Sequence, residues 1–169
     1  MATRAGRLSL VGVDKALYGG QALAASYTLP LGGSPIWTFR WPNRQGSGWW
    51  NDEVFTDVVT KGEHLYVSGW SMTQTSDGVG GREYKSILAK FPLSGPTGPG
   101  VGGALWVAKP NFFTYRGIEG FYALTAAEEG GSTFLYTGGH AQTNGVNNTA
   151  NLAKYDTNGA LLWSRVLGN

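Results

Sequence analysis

The feature that most constrains the fold of this chain is an internal repeat. Three kinds of short apolar segment recur in the same order: one ending in glycine, one ending in an aromatic residue, and one centred on tryptophan. The first kind occupies residues 8–12, 65–69 and 134–138, the second 23–27, 87–91 and 151–155, and the third 36–38, 105–107 and 162–164. Self-similarity of this kind is the signature of a repeat architecture.

The repeated segments have the character of β-strands. Each is short, rich in β-branched and aromatic residues, and bounded by Gly, Pro, Asn or Ser. A fourth kind, at 54–59 and 120–125, precedes the second and third units. No stretch of helix length has an apolar period of 3.6 residues with caps.

Four antiparallel strands per unit predict an all-β fold of β-propeller-type blades. We expect one repeat domain over 1–169, with units at about 6–41, 52–109 and 118–167. The first unit is expected to lack its innermost strand, because nothing strand-like precedes Gly6. A β-sandwich is the alternative fold, but it would not explain the repeat.

Composition supports this interpretation and excludes several functions. Glycine supplies 27 of 169 residues, and Gly12, Gly69 and Gly138 end the same repeated segment. The absence of cysteine excludes disulfides, thiolate metal sites and a cysteine nucleophile. A net charge of +2 without a basic run gives little support to nucleic-acid binding. We expect no membrane-spanning segment, because no apolar run is long enough, and no signal peptide is visible at the start.

The end of the third unit resembles a known family of repeats. Ala153-Lys154-Tyr155-Asp156, the preceding Tyr136-Thr137-Gly138 and the following Trp163 resemble the bacterial seven-bladed propeller repeat of the SBBP type. The second unit is looser, and the first is degenerate. A weaker similarity links the same ending to quinoprotein-type blades. The resemblance implies an extracellular or periplasmic setting and a binding or scaffold role, without naming a single ligand.

Three units cannot close a typical propeller of about four to eight blades. The chain is therefore a fragment of a longer propeller, completes a ring with copies of itself or with another subunit, or forms an open arc sealed against a partner. All three alternatives need something to cover the end blades, whose edges and faces would otherwise be exposed.

Long loops on one face carry the candidate binding residues. The connections at 42–53, 71–85, 110–119 and 139–149 should emerge on the same face of the blades, where binding sites usually lie. These candidates for contact with a partner or a glycan are Trp41, Trp49, Trp50, Trp70, Phe112, Phe113, Tyr115, Arg116 and His140. Aromatic and Arg side chains together are typical of an interface hot spot or a sugar-stacking surface. The alternative is that these rings fold over the blade ends and only pack.

The sequence gives little support to catalysis or to a bound cofactor. Asp156–Gly159 is typical of a hairpin turn, and it lacks the further ligands and closing Glu of a calcium loop. The densest acids are Asp52, Glu53 and Asp57, which would suit a solvated strand entry better than a cation site. We predict no catalytic residue, no metal and no cofactor. The predicted function is a non-catalytic interaction or scaffold subunit, the alternative is a carbohydrate-binding module, and an enzyme of quinoprotein or hydrolase type is the third hypothesis.

Overall fold

The computed structural model describes residues 1–4, 6–16, 19–30, 33–41, 53–74, 82–98, 101–110, 118–143 and 147–167. Twelve β-strands lie within these residues. They are β1 (Ala2–Arg4), β2 (Arg7–Ala16), β3 (Gly19–Thr28), β4 (Trp37–Arg40), β5 (Glu53–Lys61), β6 (His64–Gln74), β7 (Arg82–Pro92), β8 (Trp106–Ala108), β9 (Ile118–Glu129), β10 (Ser132–Thr143), β11 (Asn147–Asp156) and β12 (Leu161–Leu167). The helical structure in the described residues is a single 3-10 turn at Val101–Gly103.

The strands form three antiparallel sheets in which each strand pairs with its neighbour in sequence. The first sheet is β1 to β4, the second is β5 to β8, and the third is β9 to β12. A single parallel bridge between Tyr84 and Ile118 connects the second sheet to the third. The prediction of an all-β fold built from blade-like four-stranded units is thus confirmed.

The first unit has an innermost strand after all. β1 pairs with β2 from Ala2 opposite Ser9 to Arg4 opposite Arg7, so the prediction that this strand is missing is wrong. The reason is that a three-residue strand needs only main-chain hydrogen bonds to pair. A segment of that length is too short to show the alternation of apolar residues by which strands are recognised in a sequence.

The structure also moves one residue of the repeat alignment. Gly69 pairs with Phe55 and Gly139 pairs with Phe121, and the ladder skips one residue immediately after each pair. These matching β-bulges make Gly139, and not Gly138, the equivalent of Gly69. A Cβ added to either glycine would overlap main-chain atoms of the partner strand, with 2.9 Å left to the Cα of Phe55 or Phe121. Only glycine permits so close an approach.

The hydrophobic core lies between the sheets as two clusters. The cluster between the first and second sheets contains Trp41 and Phe55, whose rings meet edge to face with centroids 5.6 Å apart. The cluster between the second and third sheets contains Phe121 and Tyr155, with centroids 6.4 Å apart. Burial of such rings between stacked sheets is the main stabilising contribution in this fold.

Two equivalent tryptophans connect successive sheets. The indole Nε1 of Trp37, in the first sheet, donates to the carbonyl oxygen of Leu93 in the second sheet at 3.2 Å. In the same way Trp106, in the second sheet, donates to the carbonyl oxygen of Thr157 in the third sheet at 3.1 Å. Each acceptor lies in the turn between the last two strands of its sheet. We call this arrangement the Trp–turn joint.

A turn glycine completes each joint. The ring of Trp37 lies 3.4 Å from the position that a Cβ on Gly95 would take, and the ring of Trp106 lies 2.9 Å from that position on Gly159. Both glycines have positive φ, 134° and 89°, a conformation that other residues rarely adopt. Both turns therefore favour glycine for the backbone conformation, and at Gly159 the close ring of Trp106 also leaves no space for a Cβ.

No helix among the described residues has the length and apolar character needed to cross a membrane.

Candidate interaction surface

Three of the predicted site residues lie in the described part of the chain. They are Trp41, Trp70 and His140; the other six, Trp49, Trp50, Phe112, Phe113, Tyr115 and Arg116, lie outside the described residues. Trp41 is only 3% exposed and belongs to the first core cluster. Its ring is used in packing, which is the alternative that the sequence left open for these aromatics.

Trp70 and His140 belong to two pairs of aromatic rings, one on the second sheet and one on the third. Trp70 meets Tyr84 at a centroid distance of 5.3 Å, and Tyr122 stacks on His140 at 5.2 Å with 24° between the ring planes. Trp70 and Tyr122 both flank Gly120, at 3.2 and 3.3 Å from the position its Cβ would take. We call Tyr84, Trp70, Tyr122 and His140 the aromatic row.

The position of Tyr122 follows from the β-bulge. Tyr122 is the residue that the ladder skips in the third sheet, and its side chain is 49% exposed. The equivalent residue in the second sheet is Thr56, whose hydroxyl donates to the carbonyl oxygen of Phe121 at 2.6 Å. Bulges commonly re-aim a side chain in this way. Burial, with a smaller contribution from Tyr84, raises the pKa of the Tyr122 hydroxyl.

Sequence reasoning missed Tyr84 and Tyr122. Tyr84 was expected in the connection at 71–85, but β7 begins at Arg82 and carries this ring in a strand. Tyr122 looked like an ordinary alternating strand residue, because the bulge that turns it toward His140 leaves no mark in the apolar pattern. The tandem glycines 138–139 were the available signal.

A partly buried carboxyl group lies on β5, the strand that pairs with the one carrying Trp70. Glu53 stands opposite Ser71, the residue after Trp70. Burial raises the pKa of Glu53 to about 7, and the charge of Lys109 opposes that shift. The Lys109 ammonium donates to the hydroxyl of Ser71 at 3.4 Å. Within the described residues no three His, Cys, Asp or Glu side chains come together as a group that could hold a metal ion.

Two sheet faces carry equivalent residues: the face of the second sheet that packs on the third sheet, and the face of the third sheet that points away from the second. Tyr66, Lys90 and Trp106 stand opposite one another across three strands of the second sheet. In the third sheet the same row is Tyr136, Lys154 and Trp163. We define the open face as Tyr122, Tyr136, His140, Leu152, Lys154 and Trp163.

Exposure distinguishes these two equivalent surfaces. Leu88 and Tyr66 are buried against the third sheet, whereas Leu152, the equivalent of Leu88, is 39% exposed and Trp163 is 40% exposed. Large apolar side chains grouped on one sheet face are uncommon on a solvated surface and mark interaction sites. The open face is therefore a sheet-to-sheet contact surface without a sheet against it among the described residues.

Two cations lie on the open face: Lys154, and Arg165, which stands opposite Leu152. Lys154 forms an ion pair with Glu129 at 2.7 Å and lies 4.0 Å from the ring centroid of Phe134. The hydroxyl of Tyr136 donates to the same Glu129 carboxylate. These contacts fix the ammonium over the aromatic rings, an arrangement that cation–π attraction stabilises. Geometrically, the face can offer flat rings and the positive charges of Lys154 and Arg165 to a partner.

Comparison with known proteins adds no relative to this description. No protein-family model matches the sequence, and no curated protein is significantly similar to it. The fold and the surface define the class: an all-β chain of three blade-like sheets with an apolar, aromatic contact face left open.

Proposed function

We propose that this chain is a non-catalytic interaction or scaffold module, a structural or accessory subunit that binds a partner protein. The observation that carries the proposal is the open face, because its equivalents in the second sheet are buried against another sheet. Aromatic side chains in well-packed positions supply most of the binding energy in protein interfaces. A surface that combines Trp163, Tyr136 and Leu152 fits that composition.

The proposal includes the long loops on one face as a second contact region. Their aromatic residues, among them Trp49 and Phe112, have the composition of an interface hot spot. The aromatic row adds Trp70 and His140, which belong to the strands that lead into two of these loops. The resemblance to SBBP-type repeats supports an extracellular or periplasmic location, where such modules act.

A photoreactive residue tests the open face directly. Benzoylphenylalanine in place of Leu152, in cells that produce the chain, should form adducts with protein. The control is the same residue in place of Leu162, which is exposed to a similar degree. Leu162 is next to Trp163 on the same strand, so its side chain points to the opposite face of the sheet. Equal adduct formation at both positions, or none at Leu152, would contradict the proposal.

Carbohydrate binding is the second candidate, and the aromatic row favours it. Flat rings that are partly exposed and held in place, such as Tyr122 stacked on His140, suit stacking on a sugar. In a glycan screen, binding that is lost on Tyr122→Ala and kept on Trp163→Ala would support this candidate over a protein partner. Reduction of a dye after addition of a quinone with calcium would contradict both candidates, because it would indicate a quinoprotein-type enzyme.

A further inference from the structure

We infer that the partner of the open face is the first sheet of a second copy of this chain, so that two copies close head to tail into one ring of six sheets. The inference rests on the proposed function and names the partner. Its basis is that two of the described sheets carry the two halves of the Trp–turn joint, the donor half on the third sheet and the acceptor half on the first.

The donor half is Trp163. It stands opposite Lys154 as Trp106 stands opposite Lys90, so the two tryptophans occupy the same place in their sheets. Trp106 uses its indole and its ring on the turn of the following sheet. Trp163 is 40% exposed, and its one ring contact among the described residues is Tyr136 of its own sheet.

The acceptor half is the turn that begins at Leu29. The main-chain nitrogen of Leu29 donates to the carbonyl oxygen of Gly6 at 2.6 Å, as that of Leu93 donates to Glu63 at 2.9 Å. The two turns therefore start in the same way. The carbonyl oxygen of Leu29 is the equivalent of the one on Leu93 that accepts from Trp37. Leu29 itself is 38% exposed.

The turn of the first sheet also has a glycine with positive φ, two residues farther from the accepting carbonyl than Gly95 and Gly159 are in their turns. Gly33 has a φ of 88° and stands four residues before Trp37, as Gly159, with a φ of 89°, stands four residues before Trp163. The ring of Trp106 lies against Gly159. Among the described residues, no heavy atom lies within 4 Å of the position that a Cβ on Gly33 would take.

The face of the first sheet that points away from the second sheet has the residue pattern with which the second and third sheets pack against the sheet before them. The pattern is a leucine, an alanine and an aromatic residue in register on adjacent strands. Its members are Leu8, Ala25 and Tyr27 in the first sheet, Leu65, Ala89 and Phe91 in the second, and Leu135, Ala153 and Tyr155 in the third. Leu8 and Ala25 are already buried within the chain, so the new contact would form mainly at the partly exposed Tyr27 and at the turn.

The number of sheets determines the number of copies. A head-to-tail contact between unlike surfaces closes into a ring when the rotation permits, and otherwise continues as an open chain. Propellers have about four to eight blades. Two copies of the three described sheets give six, whereas three copies would give nine, which lies outside that range. A dimer of 2 × 18.0 kDa, about 36 kDa, is the assembly that fits.

Light scattering of the purified chain tests the inference first. We expect a single species of about twice the 18.0 kDa chain mass at micromolar concentration. A species with the mass of one chain would overturn the inference. A series of increasing masses would overturn the closed ring.

Two variants, each of which disables one half of the joint, make the test specific. Trp163→Ala removes the donor, and Gly33→Asn fills the space beside the turn with a residue that tolerates positive φ. Each variant should weaken self-association at least about tenfold, because a Trp at the centre of an interface commonly contributes 2 kcal/mol or more. Leu162→Ala, on the other face of the same strand, is the control and should leave the dimer unchanged.

Mixing the two variants distinguishes a head-to-tail contact from a symmetric one. The Trp163→Ala chain keeps its acceptor half, and the Gly33→Asn chain keeps its donor half, so together they can form one intact joint. An equimolar mixture should contain dimer at concentrations where each variant alone is monomeric. A mixture that associates no more strongly than either variant alone would overturn the inference.

The outcome can be separated from that of the proposed function. If the chain is monomeric but benzoylphenylalanine at position 152 still forms adducts with another protein, the second copy is the wrong partner and the interaction module stands. If the chain dimerises and both variants leave that dimer intact, the joint is not its interface. If no protein adduct forms and only glycans bind, the proposed function fails as well.

Discussion

Gly139→Ala provides the sharpest test of the register at which the third sheet is built. In the structure Gly139 lies at the β-bulge between β9 and β10, where it pairs with Phe121. A methyl group there would overlap the carbonyl group of Gly120, with 2.8 Å left to its carbonyl carbon. Both are main-chain atoms, so no side-chain rotation can relieve the overlap.

The expected loss can be estimated from the overlap. Forcing one extra carbon into a packed site costs about 1–3 kcal/mol where side chains can adjust. Because main chain must move at Gly139, we expect the upper end, about 3 kcal/mol of the free energy of unfolding. For a chain of this size that corresponds to a fall in Tm of about 6–12 °C.

The neighbouring glycine gives a matched control. A Cβ on Gly138 would have Leu152 Cδ2 as its nearest neighbour, at an ordinary contact distance of 3.5 Å. Gly138→Ala should be neutral or stabilising by up to about 1 kcal/mol, because alanine loses less conformational freedom on folding than glycine. Thermal and urea unfolding of both variants measure the difference. Equal stabilities of Gly138→Ala and Gly139→Ala, or the reverse order, would refute the bulge and with it the equivalence of Gly69 and Gly139.

Three further substitutions test the contacts between sheets and the buried acid. Trp106→Phe keeps a ring in the joint but removes the hydrogen bond to Thr157, and urea unfolding should show a loss of at least about 1 kcal/mol. The main-chain N–H of Leu124 donates to the Asp57 carboxylate at 2.8 Å, and Asp57→Ala removes that acceptor. The same assay should show a loss of about 2–3 kcal/mol for Asp57→Ala and a smaller loss for Asp57→Asn. Glu53→Gln should remove a pH dependence of the stability. Because the pKa of Glu53 is raised to about 7, the folded chain keeps a proton that the unfolded chain has lost. The contribution of Glu53 to wild-type stability is therefore full below about pH 4.5 and is lost as the pH rises to about 7. After allowance for solvent screening that loss is about 1–2 kcal/mol, and Tm measured from pH 4 to 8 should be flatter in the variant.

The strand content of this fold could be predicted from the sequence because each sheet is half buried along its length. Alternation and repetition identify such strands, and the four-strand unit follows from their order. Strand β1 could not be predicted in this way, because its three residues pair through main-chain atoms and are too few to show a pattern. The register at Gly138 and Gly139 escapes it too, since two adjacent glycines look alike until the partner strand shows which one the main chain approaches.

The candidate surface was predictable only in part, for a related reason. Trp41 and Trp70 both follow strands, and both read as exposed aromatics at the start of long loops. How deeply each is buried depends on what the neighbouring sheet presents: Phe55 packs against Trp41, whereas Trp70 lies against Gly120 and stays partly exposed. Contacts between sheets that lie far apart in sequence decide such cases, and no local pattern encodes them.

The same dependence on neighbours makes the open face informative and indicates how strong its contact should be. Burying the exposed parts of Trp163 and Leu152 contributes only part of the roughly 1.5–3 kcal/mol that a fully buried large apolar side chain gives. Bringing two chains together costs about 4–15 kcal/mol in lost freedom of motion. In a closed ring the second joint forms between chains that are already held together, so that cost is met once for two joints. The ring should therefore be far more stable than a dimer held by one joint, and the mixture of Trp163→Ala and Gly33→Asn should dissociate at much higher concentration than the wild-type dimer. If one joint were as stable as two, the contact would not be a ring closure.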